Sequence, residues 1–220
     1  MTVSNVTERY LSVRRSIPES VQLVVVSKFH PVEAIKEIYD AGQRIFGENR
    51  VQEMVEKKPQ LPNDIEWHLI GTLQSNKVQY IAPFVTLIHS VDSPKLLAEI
   101  DKQAKKNNRI IDCLLEIHIA NEESKHGFSL QDTDDFLSAN SLFPNVRIVG
   151  LMGMATNTNN TAQVRQEFKN LSTLFKKHQG SRNFNTLSMG MTSDYQIAIE
   201  EGSTMVRIGS AIFGERAYRT

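Results

Sequence analysis

The chain has 220 residues, 25 Lys plus Arg balanced by 25 Asp plus Glu, and a single cysteine, Cys113. A formal net charge of zero, with no long block of one sign, gives no electrostatic reason to expect nucleic acid or an anionic membrane as partner, and one cysteine excludes an internal disulfide and fits a reducing, cytoplasmic setting. Glu8, Arg9 and Arg14 interrupt the amino-terminal stretch, so it lacks a signal-peptide core, and no apolar run is long enough for a bilayer; the expectation is a cytoplasmic protein with one domain over residues 1–220.

An opening helix is expected around Val6, Tyr10 and Val13, after which short β-type runs alternate with segments of helical period. The first strand, residues 22–27, is an apolar run ending in Ser27 and Lys28, followed by Phe29, His30 and Pro31. Pro31 suits the first position of a helix in which Val32, Ile35 and Tyr39 share a face, and Gly42 can supply the left-handed residue that ends it. Strands are expected next at residues 44–47, 66–71 and 86–91. Ser93 and Pro94 open a helix with Leu97, Ile100 and Ala104 inward. The fifth strand, 111–119, holds Cys113 as a small buried hydrophobe, and the sixth covers 146–152. Val164, Phe168, Leu171 and Phe175 recur at helical spacing until Gly180. After a seventh strand at 186–189, Ser193 with Gln196 reads as a capping box ahead of Ile197 and Ala198, with Gly202 as the stop before an eighth strand at 205–209. Eight βα units without a long linker predict a closed parallel (β/α)8 barrel, the TIM-barrel architecture, with an extra amino-terminal helix; an open doubly wound sheet is the alternative.

Barrel geometry puts reactive groups at the carboxyl ends of the strands. Lys28 meets that rule at the first strand, where burial favours the neutral, nucleophilic amine that forms a Schiff base; the plainer reading is a strand-end lysine reaching water along its stem. The loops after strands seven and eight, Ser188 to Ser193 and Gly209-Ser210-Ala211, combine glycine with hydroxyls where barrels often hold phosphate, although routine strand-to-helix turns have the same composition. Strand alternation sets Arg207 opposite to Val206 and Ile208, pointing either into the barrel mouth or into an outward ion pair. A lysine, an inward arginine and a phosphate corner describe a phosphorylated aldehyde, with pyridoxal 5'-phosphate (PLP) the foremost candidate.

The segments Val26-Ser27-Lys28, Phe46-Gly47-Glu48-Asn49, Trp67 to Gly71, Leu73 to Lys77, Gly150-Leu151-Met152, Leu187 to Met191 and Met205 to Gly214 resemble those of the pyridoxal phosphate homeostasis proteins, in order and spacing, over essentially the whole chain. The resemblance implies a barrel like the amino-terminal domain of alanine racemase, PLP fold type III, with PLP held as a Schiff base on Lys28. It implies that Ser188, Gly209 and Ser210 hold the phosphate, with Gly190 in the same corner, that Arg207 faces the pyridine nitrogen, and that Asn49 lies near the ring. His68 and Asn76 belong to the matching third-strand motif and either line the pocket or serve as a core histidine and a helix-capping asparagine. The stretch Glu123-Ser124-Lys125-His126-Gly127 also resembles a family segment, with Lys125 read as a solvated loop residue.

The resemblance further implies a monomer without established catalysis, acting in intracellular PLP homeostasis by buffering and delivery to apo-PLP enzymes, and thereby in the balance of amino and keto acids. An arginine at the ring nitrogen agrees with that, because a guanidinium only donates hydrogen bonds and weakens the ring as an electron sink. Racemisation needs a second base opposite Lys28; in alanine racemase it comes from a further carboxyl-terminal domain, and the tyrosines near this chain's end, Tyr195 and Tyr218, do not correspond to it. A weak amino-acid racemase and a Schiff-base aldolase are the rival readings. The segment from Gly71 to Val78 lacks the second glycine and the hydroxyl of a nucleotide-binding loop, and the six histidines show no metal-ligand spacing, so neither ATP nor a metal is expected.

Overall fold

A computed structural model describes residues 5–121, 127–138, 143–180 and 184–214. Among them the order is α1 (Asn5–Arg15), β1 (Gln22–Val26), α2 (Val32–Asp40), β2 (Ile45–Glu48), α3 (Val51–Lys57), β3 (Glu66–Leu69), α4 (Val78–Ile81), β4 (Leu87–Val91) and α5 (Pro94–Lys106). It continues with β5 (Ile111–His118), α6 (Leu130–Ser138), β6 (Val146–Met154), α7 (Thr161–Gln179), β7 (Thr186–Ser188), α8 (Tyr195–Glu200), β8 (Met205–Ile208) and α9 (Ser210–Phe213). Every strand is parallel to its neighbours, and β1 pairs with both β2 and β8, so the sheet closes as an eight-stranded barrel and the open-sheet alternative falls away.

Alternation along the strands sorts side chains into two layers. Val24, Leu87, Leu114, Val149, Met152 and Met205 pack together inside the barrel. Their outward neighbours, among them Val25, Phe46, Trp67, Ile88, Leu151, Val206 and Ile208, meet the apolar helix faces formed by Ile35, Ile38, Leu97, Ile100, Phe168 and Leu171. Burial on both sides explains why these strands read as continuous apolar runs.

Punctuation in the sequence is mostly realised. Ser93 accepts a hydrogen bond from the Leu96 amide at the start of α5, and Gly42 ends α2 at φ +106°. The expected capping box at Ser193 is a correction: α8 begins at Tyr195 with Asp194 before it. Asp194 Oδ1 accepts from the Met191 amide at 2.6 Å, which closes a turn over residues 191–194 and delays the helix. Gly180 follows α7 in a right-handed conformation, so no left-handed stop is used there. The third strand ends at Leu69 rather than at residue 71. There Gly71 presses against the preceding loop, where a Cβ would lie 2.5 Å from the Asn49 carbonyl oxygen.

The extra helix α1 packs across α9, and Arg9 Nε donates to the Ile212 carbonyl at 2.7 Å. It thereby braces the exit of β8 from outside. Among the described residues no helix is long and apolar enough to cross a membrane.

Candidate functional site

A cavity of about 330 Å³ opens at the carboxyl ends of β1 and β8 and the loop after β7. Val26, Lys28 and His30 form one wall, Arg207, Gly209, Ser210 and Gly214 another, and Met191, Thr192 and Ser193 the third. Lys28 follows Val24 and Val26 in alternation, which turns it toward the barrel axis, and it is half-buried. The next residue, Phe29, takes φ +66°, a sharp bend that brings His30 flat against Phe213 with ring centroids 4.1 Å apart. That stack joins the β1 loop to α9 and closes one side of the mouth.

Arg207 shares its face with Met205 and lies inside the barrel, 4% exposed, as the inward alternative predicts. Its Nη1 donates to the Ser188 carbonyl at 2.9 Å and to Ser188 Oγ at 2.5 Å, and Nη2 donates to the Gly153 carbonyl at 3.2 Å. No ion pair among the described residues includes Arg207. Burial lowers its pKa to about 10, with Asp194 and Glu116 pulling the other way, so it stays cationic at neutral pH.

A polar chain continues behind it. His89 Nδ1 lies 3.1 Å from Ser188 Oγ, and His89 Nε2 lies 3.0 Å from His68 Nδ1. Burial drops His68 to a pKa of about 3, and burial, then His68 and Arg207, hold His89 well below the usual imidazole range. Both rings are therefore neutral, which fixes the direction of the chain. Arg207 can only donate to Ser188, the hydroxyl proton is then free for His89 Nδ1, and His89 Nε2–H points to His68.

The expected site residues thus separate into two groups. Lys28, Arg207, Gly209 and Ser210 meet at the cavity. Gly190 lies beside it at φ +96°, where its carbonyl accepts from the Arg207 amide at 3.0 Å and a Cβ would sit 2.6 Å from the Ala198 methyl group. Ser188 and His68 are buried below the mouth in the polar chain, and neither belongs to the cavity wall. Asn49 is half-buried just beyond β2, away from the wall, and Asn76 is exposed in the 3-10 turn Ser75–Lys77, which has no side-chain cap. Tyr195 pairs its hydroxyl with Ser16 at 3.0 Å. Glu123 to His126, with Lys125 among them, and Tyr218 lie outside the described residues.

Sequence reasoning passed over His89 and His30, and it took Thr192 only as part of the loop after the seventh strand. A histidine in step with inward Leu87 on a short strand buried along its whole length is the signal that could have found His89. Thr192 Oγ1 accepts from Ser210 Oγ at 3.2 Å and ties the two loops together. Among the described residues no three His, Cys, Asp or Glu side chains gather in a way that could hold a metal ion.

Residues 2–217 match the family described as alanine racemase, N-terminal domain. The pyridoxal phosphate homeostasis protein of Aquifex aeolicus is 43% identical over 202 residues, which cover 90% of this chain and 88% of that protein. The protein of the same name from Vibrio alginolyticus is 41% identical over 207 residues, 91% of this chain and 89% of the relative. Among solved structures, PipY of Synechococcus elongatus, determined with PLP bound, superposes with a TM-score of 0.87 at 38% identity, over 96% of this chain and 100% of that one. The chain therefore belongs to the alanine racemase N-terminal domain family and, within it, to the pyridoxal phosphate homeostasis proteins.

Proposed function

We propose that the protein binds PLP in the mouth cavity through a reversible covalent link to Lys28 Nζ, and that it serves intracellular PLP homeostasis by holding the cofactor and handing it on. The observation that carries the reading is that Lys28 and the buried guanidinium of Arg207 line the same cavity. A guanidinium taken out of water normally keeps a carboxylate partner, and Arg207 has only neutral acceptors among the described residues. Such a group suits a ligand that brings an acceptor atom or a negative charge. The cavity volume falls at the lower end of the range for small-molecule sites.

PLP supplies an aldehyde that condenses reversibly with a primary amine, releasing water, and a ring whose absorbance reports occupancy. The protein's own groups do the rest. Lys28 provides the amine. Arg207 would face the ring nitrogen and, keeping its proton at neutral pH, would donate to that nitrogen without transferring a proton to it. Ser210, Gly209 and Thr192 form the corner for the phosphate, with hydroxyls and strand-end amides as donors. Ser188 is assigned to orienting Arg207 rather than to the phosphate, because its hydroxyl is already shared between Arg207 and His89.

The carrier reading also draws on the name shared by the relatives and on the weakened electron sink at Arg207. Amino-acid racemisation is the second reading, and one observation favours it: His30 lines the cavity alongside Lys28, and an imidazole can take up or give a proton there. Purified protein loaded with PLP and reduced with borohydride should carry the cofactor on Lys28, and Lys28→Ala should lose the adduct. The loaded protein incubated with single enantiomers in deuterated water should leave their α-protons unexchanged. Sustained exchange abolished by Lys28→Ala would favour the racemase instead.

A further inference from the structure

A cluster of charge lies outside the barrel wall, directly behind Lys28. Glu48, the last residue of β2, is 0% exposed, and Lys57, the last of α3, is 8% exposed. Lys57 Nζ donates to the Ser27 carbonyl at 3.0 Å, to Glu48 Oε1 at 2.8 Å and to Glu53 Oε2 at 3.1 Å. Ser27 Oγ donates to the same Glu48 oxygen at 2.7 Å, and the Phe29 amide donates to Glu53 Oε2 at 2.8 Å. Glu48 Oε2 is left buried without a hydrogen-bond partner among the described residues.

Stability alone is a poor account of this arrangement. A buried ion cluster is commonly no more stabilising than an apolar filling of the same volume, and here one carboxylate oxygen is unsatisfied as well. The contacts have a consistent destination, which is the backbone on either side of Lys28. Lys57 holds the carbonyl of residue 27, and Glu53 holds the amide of residue 29. Phe29 is in the left-handed region at φ +66°, which a phenylalanine seldom adopts, and the residue is 52% exposed, so core packing does not enforce the bend.

We infer that Lys57 and Glu53, paired directly with each other and with Glu48 held against Lys57, are positioning residues: they clamp the peptide groups that bracket Lys28 and so aim its amine into the cavity. The inference rests on the reading of Lys28 as the PLP-linked lysine. The clamp acts on the backbone, and none of its three charged side chains belongs to the cavity wall. It accounts for a cation and two carboxylates kept in a place where they touch no ligand.

The leading test is Glu53→Ala against Glu53→Gln, because the glutamine amide oxygen can still accept from the Phe29 amide. Losing the acceptor for that amide should weaken PLP binding about tenfold and slow borohydride-trappable attachment, while Glu53→Gln, which keeps an acceptor there, should stay within about twofold of the parent protein. In a Lys28→Ala background Glu53→Ala should weaken residual PLP binding no further. Should Glu53→Ala fail to fold, the paired variant Glu48→Gln/Lys57→Met, which removes opposite charges together, takes its place with the same expected losses. Unchanged affinity and attachment rate, or an equal loss with and without Lys28, would overturn the clamp. Retention of the covalent adduct by Lys28→Ala alone would overturn the Lys28 reading and the clamp with it, and the single variant reveals that case.

Discussion

Arg207 Nη1 donates to both oxygens of Ser188, the carbonyl at 2.9 Å and the hydroxyl at 2.5 Å, so one serine at the end of β7 sets the orientation of the guanidinium from β8. The hydroxyl then hands the chain to His89 and His68. Ser188→Ala removes the link and leaves a buried guanidinium N–H and an imidazole nitrogen short of partners, a loss of roughly 1–3 kcal/mol. Urea unfolding of the cofactor-free protein measures it. The same variant separates two roles for Ser188. If the serine acts through Arg207, PLP and unphosphorylated pyridoxal weaken by the same factor; if it holds the phosphate, PLP weakens selectively and the assignment made above is lost.

The two buried histidines predict how stability depends on pH. In the unfolded chain an imidazole takes a proton near pH 6.5, whereas native His68 stays neutral down to about 3, held there by burial. Between those limits the unfolded state binds more protons, so stability rises with pH. The contribution is complete above about 6.5 and is lost as the pH falls toward 3. Each such histidine contributes a slope of about 1.4 kcal/mol per pH unit well inside that window. His89 is lowered too, by burial first, and adds to the slope. Unfolding free energies of the cofactor-free protein from pH 7 to pH 5 should fall accordingly, and His68→Asn should reduce the slope by about one histidine's share. A flat profile in the parent protein would contradict neutral, buried rings.

Much of this was legible in the sequence because parallel barrel strands are buried on both faces and their helices carry one apolar stripe. The runs at Leu23–Val26 and Ile111–Ile117 and the stripe Val164, Phe168, Leu171 and Phe175 follow directly from that. Alternation set Arg207 opposite to Val206 and Ile208 but left the inward and outward directions open, and the packing of Met205 inside the barrel decides between them. Strand ends were less legible, since they depend on contacts between distant loops, as where Gly71 meets the Asn49 backbone. The Ser193 capping signal failed for a related reason, because a neighbouring carboxylate took a nearby amide first. Side-chain networks were least legible. Ser188 carries the same hydroxyl whether it meets a phosphate or Arg207, and the Lys57–Glu48–Glu53 cluster joins α3 to β2 with no local pattern to announce it.

The corner at Gly209 and Ser210 predicts that phosphate dominates affinity. Unphosphorylated pyridoxal should bind far more weakly than PLP, because several charge-assisted hydrogen bonds go unmade. Gly209→Val should weaken PLP in particular, since a Cβ there already meets the Val26 carbonyl oxygen at 3.0 Å and branching would push the β8 exit away from β1. Ser210→Ala should cost about 1 kcal/mol of PLP binding and leave pyridoxal unaffected. Fluorescence or absorbance titration with both ligands tests the set. Equal affinities for the two would remove the phosphate from this corner.

Cys113 offers a probe that touches no part of the site. The thiol is buried in β5, and burial, with a smaller push from Asp112, raises its pKa far above the usual thiol value. The thiolate is the reactive form, so the native protein should react with an aromatic disulfide reagent only through opening of the barrel. Labelling in buffer should therefore be slow, should accelerate with urea in step with global unfolding, and should slow further when PLP is bound, because a ligand that binds the native state alone reduces the open population. A labelling rate indifferent to PLP would mean that β5 opens without disturbing the mouth, and rapid labelling in buffer would contradict the burial of this strand.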